Sequence, residues 1–95
     1  MNDVDRVIHE PARLKLLTIL SGLGSADFKF LLQTLGLTKG NLSSHMDRLE
    51  RAGYVKIVKR FNGKIPRTDY RITNAGRKEL TRYWSVLKGI RNGDF

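Results

Sequence analysis

The feature that most limits what this chain can become is a change of period around one dipeptide. Asn62-Gly63 lies between Tyr54–Phe61, rich in β-branched and aromatic residues, and the alternating Thr68, Tyr70 and Ile72, while apolar residues elsewhere recur at helical spacing. Asn-Gly between two such runs is the strongest short-range hairpin signal. The pattern therefore predicts helices, one two-stranded hairpin over residues 54–73, and a final helix.

Before the hairpin, Val4, Val7 and Ile8 at i, i+3, i+4 predict a short opening helical turn. Glu10 precedes Pro11 and is pushed away from helical geometry, whereas Pro11 suits the first turn of the next helix. Ala12, Leu16, Ile19, Leu20 and Leu23 draw one apolar face along that helix, widened by Leu14 and Leu17. Ser25 is expected to cap a second helix, with Asp27 in its first turn and Phe28, Leu31, Leu32 and Leu35 inward; Gly36 stops it. Thr38 is the next cap, and Leu42, Met46 and Leu49 are the buried stripe of a third helix ending at Gly53. Helix, glycine turn, helix over about 26–53 is a helix-turn-helix pattern. Beyond the hairpin, Thr73 or Asn74 caps a helix over about 74–91 whose Leu80, Tyr83, Trp84, Leu87 and Ile90 spread over a broad apolar face.

Ninety-five residues suit one domain, here 1–95. With 40% apolar and 28% charged residues, and no run of about 18 apolar residues, the chain is expected to be globular and to stay out of membranes. It has no cysteine, hence no disulfide or thiolate metal site, and its first residues lack the basic and apolar blocks of a signal peptide, so a cytoplasmic location is expected. Eighteen Lys and Arg against nine Asp and Glu give a net charge of +9. Residues 1–37 are balanced, counting Asp3, Asp5, Glu10 and Asp27 against four bases. Residues 38–71 carry nine basic residues (Lys39, Arg48, Arg51, Lys56, Lys59, Arg60, Lys64, Arg67, Arg71) and three acidic ones (Asp47, Glu50, Asp69). So concentrated a block is the expected footprint of nucleic-acid binding.

With Leu42 at the centre of the buried face and about 100° per residue, Gly40, Ser44, Asp47 and Arg51 lie opposite, flanked by Asn41, Ser43 and Arg48. Small polar residues there suit a helix entering a major groove about 12 Å wide, where Lys39, Asn41, Ser43, Ser44 and Arg48 can reach base edges or phosphates. An ordinary solvated face is the plainer alternative. Gly40 permits close approach to a phosphate or marks a frayed first turn. His45 borders the core, either as a DNA contact or as a boundary histidine. Arg51 is expected to pair with Asp47 at i, i+4. In the hairpin, Arg60, Lys64 and Arg67 surround the tip and can reach backbone or minor groove, while Lys59 either joins them or pairs across the strands with Asp69.

The segment Leu37-Thr38-Lys39-Gly40-Asn41-Leu42-Ser43-Ser44-His45, followed by Pro66-Arg67-Thr68-Asp69-Tyr70-Arg71-Ile72-Thr73-Asn74-Ala75-Gly76-Arg77, resembles the small winged-helix transcriptional regulators related to the MarR and ArsR families. The resemblance covers about residues 8–84. It implies a winged helix-turn-helix of mainly α class with a small β-hairpin: a three-helix core, a two-stranded wing and a long C-terminal helix. It also implies a homodimer built by terminal helices and sequence-specific binding to double-stranded operator DNA. The chain lacks the cysteine pair of ArsR metal sensors and is shorter than MarR proteins with extra dimer helices, so no metal, cofactor or small-molecule effector is expected.

Leu80, Tyr83, Trp84, Leu87 and Ile90, helped by Val4, Val7 and Ile8, offer more apolar surface than so small a core needs, and a second copy is expected to cover it. Catalysis finds no support. His9 and His45 have no carboxylate cluster, a helix points Ser43, Ser44 and His45 in different directions, and Gly22-x-Gly24 follows a helix where a dinucleotide loop follows a strand. The competing expectation is a winged-helix module for protein assembly or nonspecific architectural DNA binding.

Overall fold

Proline 11 sets where the first helix begins. In the computed structural model, which describes residues 4–93, Glu10 stays extended (φ −151°, ψ 130°) and α1 spans Pro11–Leu23. The Glu10 carboxylate accepts the amide hydrogens of Ala12 and Arg13 at 3.0 and 2.9 Å, so a glutamate serves as the cap. Upstream, the expected helical turn is a single bonded loop: Asp5 Oδ1 accepts from the Val7 and Ile8 amides, and His9 N–H reaches the Asp5 carbonyl at 2.8 Å. Asp3 lies outside the described residues.

After α1 the structure departs from expectation. Ser25 does not cap a helix; it opens a short strand, β1 (Ser25–Asp27), and Asp27 caps α2 (Phe28–Leu35) by accepting the Phe30 amide at 2.7 Å. Three residues are too few to show a period of two, so nothing local marks them as a strand. Gly36, left-handed at φ 63°, separates α2 from α3 (Lys39–Arg51), which Thr38 caps through the Asn41 amide. Strands β2 (Val55–Asn62) and β3 (Ile65–Ile72) follow, then α4 (Asn74–Arg91), capped by Thr73. The sheet is antiparallel in the order β1-β3-β2, so the two-stranded hairpin has gained a third strand on its inner edge.

The hairpin loop is also displaced by one residue. Asn62 pairs with Ile65, leaving Gly63-Lys64 as the two-residue loop, and Gly63 (φ 67°) takes the positive φ while Asn62 and Lys64 do not. Positive φ at the first loop residue alone is the type II′ pattern, so the glycine decides the turn and Asn62 ends the strand.

Ile8, Leu16, Leu17, Leu20, Leu31, Leu42, Met46 and Leu49 are fully buried, and Val55, Tyr70, Leu80 and Tyr83 close the core from the sheet and α4. Ile8 is therefore core, and the apolar face of α1 stops short of Leu23, which is 58% exposed. At Gly76 a Cβ would collide with the Tyr54 carbonyl, so only glycine lets the start of α4 lie against the end of the helix-turn-helix.

Candidate nucleic-acid interface

Helix α3 is held from beneath and bare above. Leu42, Met46 and Leu49, all at 0% exposure, lock one side into the core, which fixes the rotation of the helix. Lys39, Gly40, Asn41, Ser43, Ser44 and Arg48 are exposed on the remainder. Among the described residues, the side chains of Lys39, Ser43, Ser44 and Arg48 make no hydrogen bond or ion pair within the chain. A Cβ at Gly40 would meet nothing, so packing does not require glycine there.

His45 stands apart from these. It is half-buried, with Nδ1 3.2 Å from Arg13 Nη1 and 3.4 Å from Glu10 Oε2, and it ties α3 to α1 as a boundary histidine. Burial pushes the Glu10 carboxyl up, but the two amide bonds and the charges of His45 and Arg13 outweigh it and hold the group below its usual value. The expected Asp47–Arg51 ion pair is not formed, and Arg51 is exposed.

Residues missed by sequence reasoning join α3 here. An open cleft of about 780 Å³ runs between the outer face of α3 and the turn before α1, with Arg6, Arg13, Arg48 and Arg51 in its walls together with Gly40, Ser43, Ser44 and Asp47. Arg6 and Arg13 belong to the charge-balanced first third of the chain, so no local excess of charge flagged them.

The wing is organised differently. Asp69 is 3% exposed and receives Arg60 through Nε at 2.7 Å and through Nη2, and Arg67 Nε at 3.0 Å. Arg67 Nη2 also lies 3.4 Å from Asp27 on β1. The hydrogen bond from Arg67 leads in holding the Asp69 carboxyl below its usual value; burial opposes it, and Arg60 adds to the lowering. Lys59 faces Thr68 across the strands, so of its two readings the cross-strand pairing with Asp69 does not occur. Lys64, in the loop, has no side-chain partner among the described residues. Phe61 (73% exposed) and Ile65 (69%) give the tip an apolar surface beside its charge.

On α4, Leu80 and Tyr83 turn into the chain's own core, and so does Val86, which spacing alone did not single out. Tyr83 is further engaged by His9, its hydroxyl 2.7 Å from Nδ1. Their assignment to a surface for a second copy is corrected: Trp84 (49%) and Ile90 (38%) are exposed, and Leu87 is half-buried. No helix among the described residues is long and apolar enough to cross a membrane.

Comparison with known proteins agrees with this geometry. An uncharacterized protein of Methanocaldococcus jannaschii is 35% identical over 89 residues, covering 92% of this chain and 96% of its own. The structure of a transcriptional regulator homologue from Pyrococcus horikoshii OT3 superposes with a TM-score of 0.87 at 37% identity, covering 94% of this chain and 88% of that one. The YusO protein from Bacillus subtilis shares the fold alone, at 23% identity and a TM-score of 0.71, covering 86% and 57%. The family model of the winged helix DNA-binding domain matches residues 12–90. A partnerless polar helix face, a three-stranded sheet with a projecting hairpin, and this match over most of the chain lead to one conclusion: the chain belongs to the winged helix DNA-binding domain family.

Proposed function

We propose that the protein is a MarR-like transcriptional regulator that binds double-stranded DNA as a homodimer, with α3 in the major groove and the wing on flanking backbone or minor groove. One observation carries this: the exposed side of α3 is small, polar and without partners inside the chain, while its other side is fully buried. Lys39, Asn41, Ser43, Ser44 and Arg48 offer donors and acceptors to base edges, and Gly40 allows the helix start to come close to a phosphate. Trp84, Ile90 and the exposed edge of Leu87 supply the surface for a second copy. The transcriptional role draws support from the Pyrococcus horikoshii homologue.

Selection of bound duplexes from a random library tests this reading. A two-fold symmetric sequence with half-sites about 34–36 Å apart is expected. Sedimentation at micromolar concentration should give a dimer. Recovery of sequences without symmetry or preference sinks the specific-regulator reading. A second reading, a module for protein assembly, is favoured by Phe61 and Ile65 alone, which put apolar surface at the wing tip. Equal affinity for selected and random duplexes would instead favour nonspecific architectural binding, and no affinity for either would favour protein assembly.

A further inference from the structure

We propose that the turn before α1 is a second DNA grip, independent of the wing, in which Arg6 together with Arg51 holds a backbone phosphate of the duplex while Arg48 beside them faces the bases. This rests on the reading of α3 as the DNA-facing helix. It adds a contact from a part of the chain outside both the helix-turn-helix and the hairpin.

The cleft between this turn and α3 has four arginines in its walls, and they differ in state. Arg13 is spent internally. Its Nε donates to the Val7 carbonyl at 2.6 Å, its Nη1 reaches His45, and Glu10 lies 3.9 Å away. Arg6, Arg48 and Arg51 are exposed and make no ion pair or hydrogen bond among the described residues. Asp47, the one carboxylate in the walls, pairs with none of them, so the free groups leave net positive charge in the cleft. Guanidinium groups around a cleft repel one another, and a phosphate fitting their planar donor geometry relieves that repulsion.

The turn is also held in place. Asp5 Oδ1 accepts two amides of the turn, Asp5 Oδ2 takes the Tyr54 hydroxyl, Arg13 grips the Val7 carbonyl, and Ile8 is fully buried. Partial burial and then the Asp5 carboxylate, as bond partner and as charge, raise the Tyr54 hydroxyl above its usual range, so that bond keeps its proton at neutral pH. Arg6 thus projects from a backbone that needs little ordering on binding, which lowers the entropic cost of the contact. No residue of β2 or β3 lines the cleft, whereas Gly40, Ser43 and Ser44 of the recognition face do, and that continuity points to duplex DNA as the source of the phosphate.

The test compares the full-length wild type, Arg6→Ala and Arg6→Lys on a library-selected duplex and on a random one, across about 50 to 200 mM salt. Arg6→Ala should lose affinity several-fold on both duplexes alike and flatten the plot of log affinity against log salt by about one unit per bound chain. Arg6→Lys should keep most of the slope, and all three proteins should melt together because Arg6 is exposed. An Arg6→Ala protein with unchanged affinity and slope, or with a loss on the selected site only, overturns the grip and leaves the role of α3 standing. A wild type that binds neither duplex overturns both.

Discussion

Helix α3 and the wing are both basic, yet they are held in place by opposite means. The helix is anchored by apolar burial at Leu42, Met46 and Leu49, and none of its outward cations is tied down within the chain. The wing has a solvent-exposed outer half, and two of its arginines converge on one buried carboxylate, Asp69. A count of positive charge along the sequence treats the two regions alike. The structure separates charge that is free to meet a ligand from charge that positions the scaffold.

The largest effect should come from removing the anchor of the helix. Leu49→Ala deletes a fully buried side chain and is expected to cost about 2–5 kcal/mol of stability, with little dependence on salt because no charge is involved. Denaturant unfolding at low and high salt measures both points. A loss under about 1 kcal/mol would mean that α3 is held by something other than its apolar side.

Next in size are changes on the bare face. Arg48→Ala and Asn41→Ala should each cost about 1–3 kcal/mol at one or two base positions per half-site and little at the others. A base-by-base binding profile for wild type and both variants reads this directly. Equal losses on every sequence would demote α3 to a backbone contact and erase the functional side of the contrast with the wing.

The legibility of the two regions follows the same physics. Burial repeats every turn of a helix, so Leu42, Met46 and Leu49 announce α3, and the hairpin announces itself by alternation around a glycine turn. What the sequence hides depends on pairing between distant residues. Strand β1 is three residues long and exists because the edge of β3 accepts it in the register Ser25 to Arg71. The same register sets Asp27 opposite Asp69 and within reach of Arg67, so the helix cap and the wing clamp arise together. Lys59 and Asp69 looked like partners by sequence, but Val58 faces Asp69 and the carboxylate turns to Arg60 and Arg67. On α4 the 3.6 period marked an apolar face without saying how much of it one chain would cover. Leu80, Tyr83 and Val86 went to the core, and Trp84 and Ile90 stayed out. Arg6 was legible only in three dimensions, since packing of the turn before α1 against α3 brings it into the same cleft as Arg48.

A smaller effect is expected from Asp69→Asn, which frees Arg60 of its ion pair and leaves Arg67 with Asp27 alone. The Asp69 carboxyl titrates below its usual value in the folded chain, so its contribution is fully present above the unfolded value of about 3.9 and is lost as pH falls through the lower folded value. The variant should melt about 5 °C below wild type at pH 7, and the gap should begin to narrow only as the pH falls below about 4. A gap that does not narrow at all as the pH falls below about 4 would assign the loss to packing instead. If duplex affinity falls as well, orientation of Arg60 and Arg67 is part of the wing's function.

The smallest expected change, and the one that separates free from committed charge most cleanly, is at Lys64. This residue sits in the two-residue loop at the wing tip, exposed and without a partner among the described residues, whereas Arg67 is shared between Asp69 and Asp27. A lysine that contacts one phosphate releases about one counterion on binding, so Lys64→Ala should flatten the salt dependence by about one unit per wing and weaken all sequences alike. Stability should not change, because nothing in the fold rests on the side chain. Arg67→Ala should behave differently: its removal leaves Asp27 and Asp69 facing each other with only Arg60 between strand β2 and the pair, so folding stability falls along with affinity. Thermal melts beside salt titrations of the two variants decide the matter. If Lys64→Ala leaves the slope untouched while Arg67→Ala reduces it without lowering the melting temperature, the assignment of free and committed charge within the wing is reversed.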